Sequence, residues 1–169
     1  MNAPARVFIA LGSNISPRGE RLSRARDLLR AISAGGWKES PIYETPPVGP
    51  EGQGPYLNQV VSFWTTRDPV RVLHFCKGAE IWLGRKPRSR WNSREIDLDL
   101  LYHGASVQNK PPVLPHPFLH LRQFVLVPLC DIDPDWMDPL RAQSVRTLLE
   151  GLQANEGTLA FRTAAPQED

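Results

Sequence analysis

The strongest constraint on this chain is an alternation of apolar and acidic residues, Ile96-Asp97-Leu98-Asp99-Leu100-Leu101, directly behind a run of cations. Period-two alternation is the pattern of a strand, and on a strand residues i and i+2 share a face. Asp97 and Asp99 therefore point the same way, with Cα atoms roughly 6.5 Å apart at a rise of about 3.3 Å per residue. A lone Asp on a strand is ordinarily the solvated side of a half-buried sheet. Two on one face repel each other unless a cation lies between them, and hard divalent cations take such oxygen ligands. Upstream, Arg85, Lys86, Arg88, Arg90 and Arg94 fall within ten positions, interrupted by Pro87, Trp91 and Asn92. A basic run alone reads as a solvated or nucleic-acid-attracting face. One that feeds into a carboxylate pair points instead to a polyphosphate carrying magnesium.

At 169 residues the chain fits a single domain over 1–169, able to bury about two-thirds of its unfolded surface. A formal net charge of +2 argues for neither nucleic acid nor a membrane as partner, although local clustering of charge matters more than the sum. No apolar run reaches membrane-spanning length and no signal peptide is evident. Cys76 and Cys130 have no metal-ligand spacing and read as reduced thiols, which suits a cytoplasmic protein.

Taken in order, Val7 to Leu11 reads as a buried strand that stops at the turn tripeptide Gly12-Ser13-Asn14. Ser16 offers a helix N-cap with Pro17 at the first helical position, and Gly35-Gly36 ends that helix. Neither G-x-G-x-x-G nor G-x-x-x-x-G-K-[ST] occurs there, so no dinucleotide or P-loop fingerprint is present. Trp37 to Tyr43 reads as a strand broken at Pro41, hence an edge. Glu44 to Pro55 holds four prolines and three glycines in twelve residues, a composition suited to a loop that presents backbone groups to a ligand. Tyr56 and Asn58 then share a face at the start of a strand, where a ring and an amide can stack on and hydrogen-bond a planar heterocycle. Packing and capping of the sheet is the plainer alternative.

Asp68-Pro69 starts a second helix with Val72, Phe75, Cys76, Ala79 and Leu83 as its apolar stripe, and Gly84 stops it. Glu80 lies in its last turn, unfavourably for an acid, and is expected to pair with an arginine or touch a ligand. His116 and His120 stand four apart, but Pro117 sits beside the first and neither acid nor cysteine accompanies them, so zinc is not expected. A neutral His116 donating to phosphate is expected instead. Arg122, two residues before Phe124, puts a cation beside an aromatic at the head of the apolar run Phe124 to Leu129. Ser144 to Leu152 forms a helix, the core extends over about 7–152, and residues 153–169 are expected to form a loose tail.

Read together, Gly12-Ser13-Asn14, Thr45-Pro46-Pro47-Val48-Gly49-Pro50, Tyr56-Leu57-Asn58, Arg90-Trp91-x-x-Arg94-x-Ile96-Asp97-Leu98-Asp99, and Pro115-His116 with Arg122-x-Phe124 closely resemble the 6-hydroxymethyl-7,8-dihydropterin pyrophosphokinase family of folate biosynthesis. The resemblance spans about Val7 to Leu152. It implies an α+β fold with a ferredoxin-like core, a mainly antiparallel sheet with helices on its faces. It also implies transfer of the β,γ-pyrophosphoryl unit of ATP to the pterin hydroxymethyl group, with release of AMP. Two Mg2+ ions would be held by Asp97 and Asp99. The pterin would meet Thr45, Pro46, Pro47 and Val48, Asn58, and a sandwich of Tyr56 and Phe124. ATP would meet Glu80, Arg85, Arg90, Trp91, Arg94, Leu98, His116 and Arg122, with Arg85, Arg90, Arg94, Asp97 and Asp99 carrying the catalytic roles. Pro117 stands where some relatives carry tyrosine, and Lys77 where a glutamine can occur.

Phosphoryl-type transfer needs alignment and charge relief more than covalent help. No general base is evident, so metal activation of the hydroxyl is the expected substitute. The competing reading is an RNA-binding module, since a ferredoxin-like sheet with aromatics and an arginine-rich loop describes those domains too. The K/R-G-F/Y-G/A-F-V-x-F/Y signature is missing, however, and Asp97 and Asp99 would repel phosphates from the middle of that face. Small-molecule substrates and a monomer are therefore expected.

Overall fold

A computed structural model describes residues 3–88, 92–159 and 161–165. Arg90 and Trp91 lie outside the described residues. The elements run β1 (Ala5–Ser13), α1 (Arg18–Arg30), β2 (Lys38–Glu39), β3 (Ile42–Thr45), β4 (Tyr56–Thr65), α2 (Pro69–Trp82), β5 (Asp97–His103), a 3-10 turn (Leu119–Leu121), α3 (Gln123–Ile132), β6 (Met137–Asp138), β7 (Gln143–Ser144), α4 (Val145–Glu156) and β8 (Arg162–Ala164). The main sheet has the order β5-β1-β4-β3-β8, with β2 also on β4, and every pairing in it is antiparallel. This is the α+β architecture that the family resemblance implies.

The sheet is the middle of three layers because both its faces carry apolar residues. On one face Val7, Ile9, Leu11, Leu98 and Leu100 pack against Leu22, Ala25 and Leu29 of α1 and Val72, Cys76 and Ala79 of α2. On the other, Phe8, Val60, Leu101 and Tyr102 meet Val125, Leu126 and Leu129 of α3 and Val145, Leu148 and Leu152 of α4. Leu98 and Leu100 thus belong to the α1/α2 side, which leaves Asp97 and Asp99 on the α3/α4 side. β5 then bulges: Ile9 pairs with Leu100 but Phe8 with Tyr102, so Leu101 is an extra residue. The insertion reverses the facing of the residues after it, and Tyr102 joins Leu101 on the α3/α4 side. There its hydroxyl donates to the fully buried Asp138 at 2.9 Å.

Helix starts obey local chemistry where a side chain is free to cap. Asp68 accepts from the Arg71 N–H before α2, with Pro69 in its first turn, and Ser144 accepts from the Thr147 N–H before α4. Gly84, at φ +90°, supplies the left-handed stop behind α2 that a side chain would disfavour.

Four expectations need correction. α1 begins one residue later than its capping pattern suggests: Pro17 is the cap residue and no side chain caps the helix. β1 continues through Gly12 and Ser13, because its neighbours pair with it there. β3 is an interior strand, flanked by β4 and β8, whereas the short β2 before Ser40-Pro41 pairs with β4 alone. The segment beyond Gln153 is not wholly a loose tail, since α4 runs to Glu156 and Arg162–Ala164 pair with β3.

Candidate active site

The α3/α4 face of the sheet is left uncovered where β5, β1, β4 and β3 approach the loops at one end. The register sets out the floor there. Gly12 pairs with Asp97 on one side and Asn58 on the other, and Asn58 pairs in turn with Tyr43. One step along, Ala10 lies between Asp99 and Val60. A cavity of about 510 Å³ opens over this floor, and its lining includes Asp97, Asp99, Arg94, Tyr56, Asn58, Thr45, Pro46, Val48, His116, Arg122 and Phe124. Elements far apart in sequence thus bring the acid pair, three potential phosphate ligands and the expected heterocycle walls to one place.

Close approach disfavours a side chain at Gly12. A Cβ on Gly12 would stand 3.3 Å from Asn58 Oδ1 and 3.7 Å from Tyr56 Cδ1. Asn58 has little room to yield, because it is buried and its Nδ2 donates to Thr45 Oγ1 at 2.7 Å. That bond engages Nδ2 and leaves Oδ1 as the acceptor end of the amide.

At the acidic end, Arg85 donates to Asp97 Oδ1 at 2.7 Å and Arg94 to Asp97 Oδ2 at 3.1 Å. Arg85 also lies 2.5 Å from Glu80 Oε2. Buried Glu80 further accepts from Lys77 Nζ at 2.9 Å and from the Leu98 N–H at 2.7 Å. Burial raises the Glu80 pKa, against the opposing pull of Lys77 and the Leu98 N–H. Burial opposes the Arg85 charge, but Asp97 and Glu80 outweigh it and raise its pKa. Among the described residues Asp99 has no such clamp. Burial first, and then the charge of Asp97, push its carboxyl up to about 6. Paired carboxylates facing one cavity, one of them reluctant to ionise alone, fit a hard divalent cation, which would relieve both their repulsion and their desolvation. Among the described residues no cluster of three His, Cys, Asp or Glu is present.

The two histidines part ways. His116 lines the cavity, whereas His120 sits against Arg141 Nη2, 2.8 Å from its Nδ1. His116 Nδ1 accepts from the Phe118 N–H at 3.2 Å, which leaves the ring proton on Nε2, free to donate. Burial and the Arg122 guanidinium push its pKa down to about 4, so the ring is neutral near pH 7. Arg122 lies over both Phe118 and Phe124, 5.3 and 5.7 Å from the ring centroids.

Several residues take places that sequence reasoning does not assign. Arg85, Glu80, Leu98 and Pro47 are not among the cavity's lining residues. Leu98 turns its side chain into the α1/α2 core, and its N–H donates to Glu80. Ala10, Gly12, Asn92, Phe118 and Leu121 do line the cavity. A period-two pair of small residues, Ala10 and Gly12, is the signal that could have found the floor, and ending the strand at Leu11 hides it. Asn14 is a further clamp: its Oδ1 accepts from the Arg94 N–H at 2.7 Å and its Nδ2 donates to the Gly54 carbonyl at 3.2 Å. Arg88 lies 2.9 Å from buried Glu95 and donates to the Ser93 carbonyl at 3.0 Å.

The sequence model of the 7,8-dihydro-6-hydroxymethylpterin-pyrophosphokinase (HPPK) family matches residues 8–134, more than half of the chain. The chain belongs to this family. It is 39% identical over 151 residues to the 2-amino-4-hydroxy-6-hydroxymethyldihydropteridine pyrophosphokinase of Methylorubrum extorquens, covering 87% of this chain and 93% of that protein. The Bacillus subtilis protein of the same name is 41% identical over 128 residues, covering 75% and 77% respectively. Among solved structures, wild-type HPPK-DHPS of Plasmodium falciparum superposes with a TM-score of 0.69 at 13% identity, a likeness of fold. It covers 94% of this chain but 47% of that one, so this chain spans about half of that longer protein. Membership of the HPPK family removes the ground for the RNA-binding alternative. No helix among the described residues is long and apolar enough to cross a membrane.

Proposed function

We propose that the chain transfers a pyrophosphoryl group from ATP to the hydroxymethyl group of 6-hydroxymethyl-7,8-dihydropterin, releasing AMP, as a step of folate biosynthesis. The observation that carries this reading is the opening of Asp97 and Asp99 onto the same cavity as Asn58, Tyr56 and Phe124. Phosphoryl donor and heterocyclic acceptor can therefore lie over one floor, which converts a bimolecular transfer into a positioned one.

Tyr56 and Phe124 would stack on the pterin, Asn58 Oδ1 would accept from its ring N–H, and the backbone of Thr45 to Val48 would present further groups to its edge. Arg94, His116 and Arg122 would bind phosphate oxygens. His116 would act as a neutral Nε2–H donor, and the arginines as fixed charges on the side where negative charge grows. Arg85 and Glu80 would hold Asp97 in place from behind. Asp97 and Asp99 would hold two Mg2+ ions, and bound Mg2+ supplies charge neutralisation on the phosphates and a lowered pKa for the attacking hydroxyl. One chain carries all these groups, so a monomer suffices, and the free thiols of Cys76 and Cys130 suit the cytoplasm.

The test is AMP release from ATP with Mg2+ and the hydroxymethyl pterin. Pterin-dependent AMP formation with the pterin diphosphate as co-product is expected. ADP formation, or AMP release that ignores the pterin, would reject the reading.

A further inference from the structure

The C-terminal segment lies beyond the family match, which ends at residue 134, yet it ties together two walls of the cavity. One tie runs through Gln123, a buried residue between Arg122 and Phe124 at the head of α3. Gln123 Nε2 donates to the Gly157 carbonyl at 2.8 Å, and its Oε1 accepts from the Leu159 N–H at 3.2 Å. Both ends of the amide are thus engaged by the backbone just after α4, which fixes the first turn of α3 and the side chains on either side of Gln123.

The other tie is to β3. Arg162, Thr163 and Ala164 pair with Glu44, Tyr43 and Ile42, and Arg162 lies 3.1 Å from Glu44 Oε1. Glu44 Oε2 also meets Arg18 at 3.1 Å, and Arg18 donates to the Pro55 carbonyl at 2.9 Å. Residues Glu44 and Pro55 bracket the loop that begins at Pro46, so its two roots are held by one charge cluster to which the C-terminal strand contributes.

Resting on the transfer proposed above, we propose that residues Gly157–Leu159 and Arg162–Ala164 form a strap that sets the spacing between Phe124 and the Thr45–Val48 wall, with Gln123 as the positioning residue through which it acts. A stacked heterocycle needs its walls held at a fixed separation, and misplacement by about an ångström is enough to lose most of the productive geometry. The strap bonds to Gln123 and to Ile42–Glu44, next to the walls, and none of its described residues lines the cavity.

The test compares the full chain with Gln123→Met, which keeps the packing volume and removes both hydrogen bonds, and with a chain ending after Glu156. Amide hydrogen exchange reads the strap independently of turnover. In both variants, exchange of peptides covering residues 42–48 and 122–126 is expected to accelerate about tenfold or more while α1 and α2 keep their protection. The KM for the pterin is expected to rise about tenfold with the KM for ATP unchanged and kcat within about twofold, a split that general destabilisation does not produce. Gln123→Glu, which keeps the acceptor for Leu159 and loses the donor to Gly157, should fall between. Unchanged exchange at residues 42–48 in Gln123→Met, or a proportional change in both KM values and kcat, would overturn the strap. A full-length chain that releases no AMP would reject the transfer reading instead, and the exchange data would still decide the strap.

Discussion

Arg85 Nη1 stands 2.7 Å from Asp97 Oδ1 and reaches Glu80 Oε2 as well, so one guanidinium joins a carboxylate at the cavity to one buried behind it. Removing that charge leaves Glu80 with Lys77 and the Leu98 N–H among the described residues. Arg85→Ala is expected to cost about 2 kcal/mol, the usual worth of a hydrogen-bonded charge, read as a lower midpoint in urea unfolding. Arg85→Lys should recover only part, because an ammonium lacks the fork that serves two carboxylates at once.

Asp97 is clamped on both oxygens, by Arg85 and Arg94, so its direction is set by the fold. Asp97→Ala should lower kcat roughly 10³-fold or more, the upper end of what one preorganised charge contributes, while the pterin Kd changes little. Steady-state rates beside pterin binding measured by fluorescence check this. A near-normal rate would rule out its assignment to the metal.

The acidic limb of the pH profile should belong to Asp99. Its carboxyl titrates at about 6, raised first by burial and then by Asp97, whereas His116, at about 4, is already neutral throughout that range. Protonated Asp99 cannot ligate a cation, so at low Mg2+ kcat/KM should fall as pH drops from 7 to 5. Rising Mg2+ should move the midpoint down, since metal and proton compete. The sign for stability is the reverse. A carboxyl whose pKa is higher folded than unfolded favours the folded state most below about 4, and that contribution is lost as pH rises through about 6. Added Mg2+ should therefore raise Tm more at pH 7.5 than at pH 5.

The cavity floor predicts a specific intolerance at Gly12. Gly12→Ala places a methyl 3.3 Å from Asn58 Oδ1, and Asn58 is pinned by Thr45. Pterin affinity should fall about tenfold, or roughly 1.4 kcal/mol, with ATP affinity unchanged. Isothermal titration with each ligand separates the two.

For His116, the Phe118 N–H on Nδ1 predicts the Nε2–H tautomer. Nitrogen-15 NMR at pH 7 should show a protonated Nε2 and an unprotonated Nδ1, with titration only near pH 4.

How far the sequence speaks for this fold depends on the range of the interaction involved. Asp97 and Asp99 share a face because strand geometry alone dictates it, and Asp68 caps α2 because the partner N–H is three residues away. Glu80 meeting Arg85 is legible for the same reason, as an acid at a helix end beside a basic loop. The bulge at Leu101 is not, since it arises from how β5 pairs with β1. Nor is the place of Gly12, whose role depends on Asn58 across the ladder. The run from Phe124 to Leu129 cannot be read as helix from its apolar character, with Pro128 within it, until α4 and the sheet are there to bury it. β8 escapes sequence reading because its three residues show no pattern of their own and gain their partners only from β3.

The acid pair of β5 is expected to hold a divalent cation over the floor shared with Asn58, and the proposed transfer depends on it. Anomalous diffraction from crystals grown with Mn2+ and a non-hydrolysable ATP analogue tests this most directly. It should place manganese in contact with carboxylate oxygens of both Asp97 and Asp99, with the nucleotide's phosphates reaching Arg94, His116 or Arg122. Manganese bound elsewhere, with these two carboxylates making no contact to it, would contradict the account.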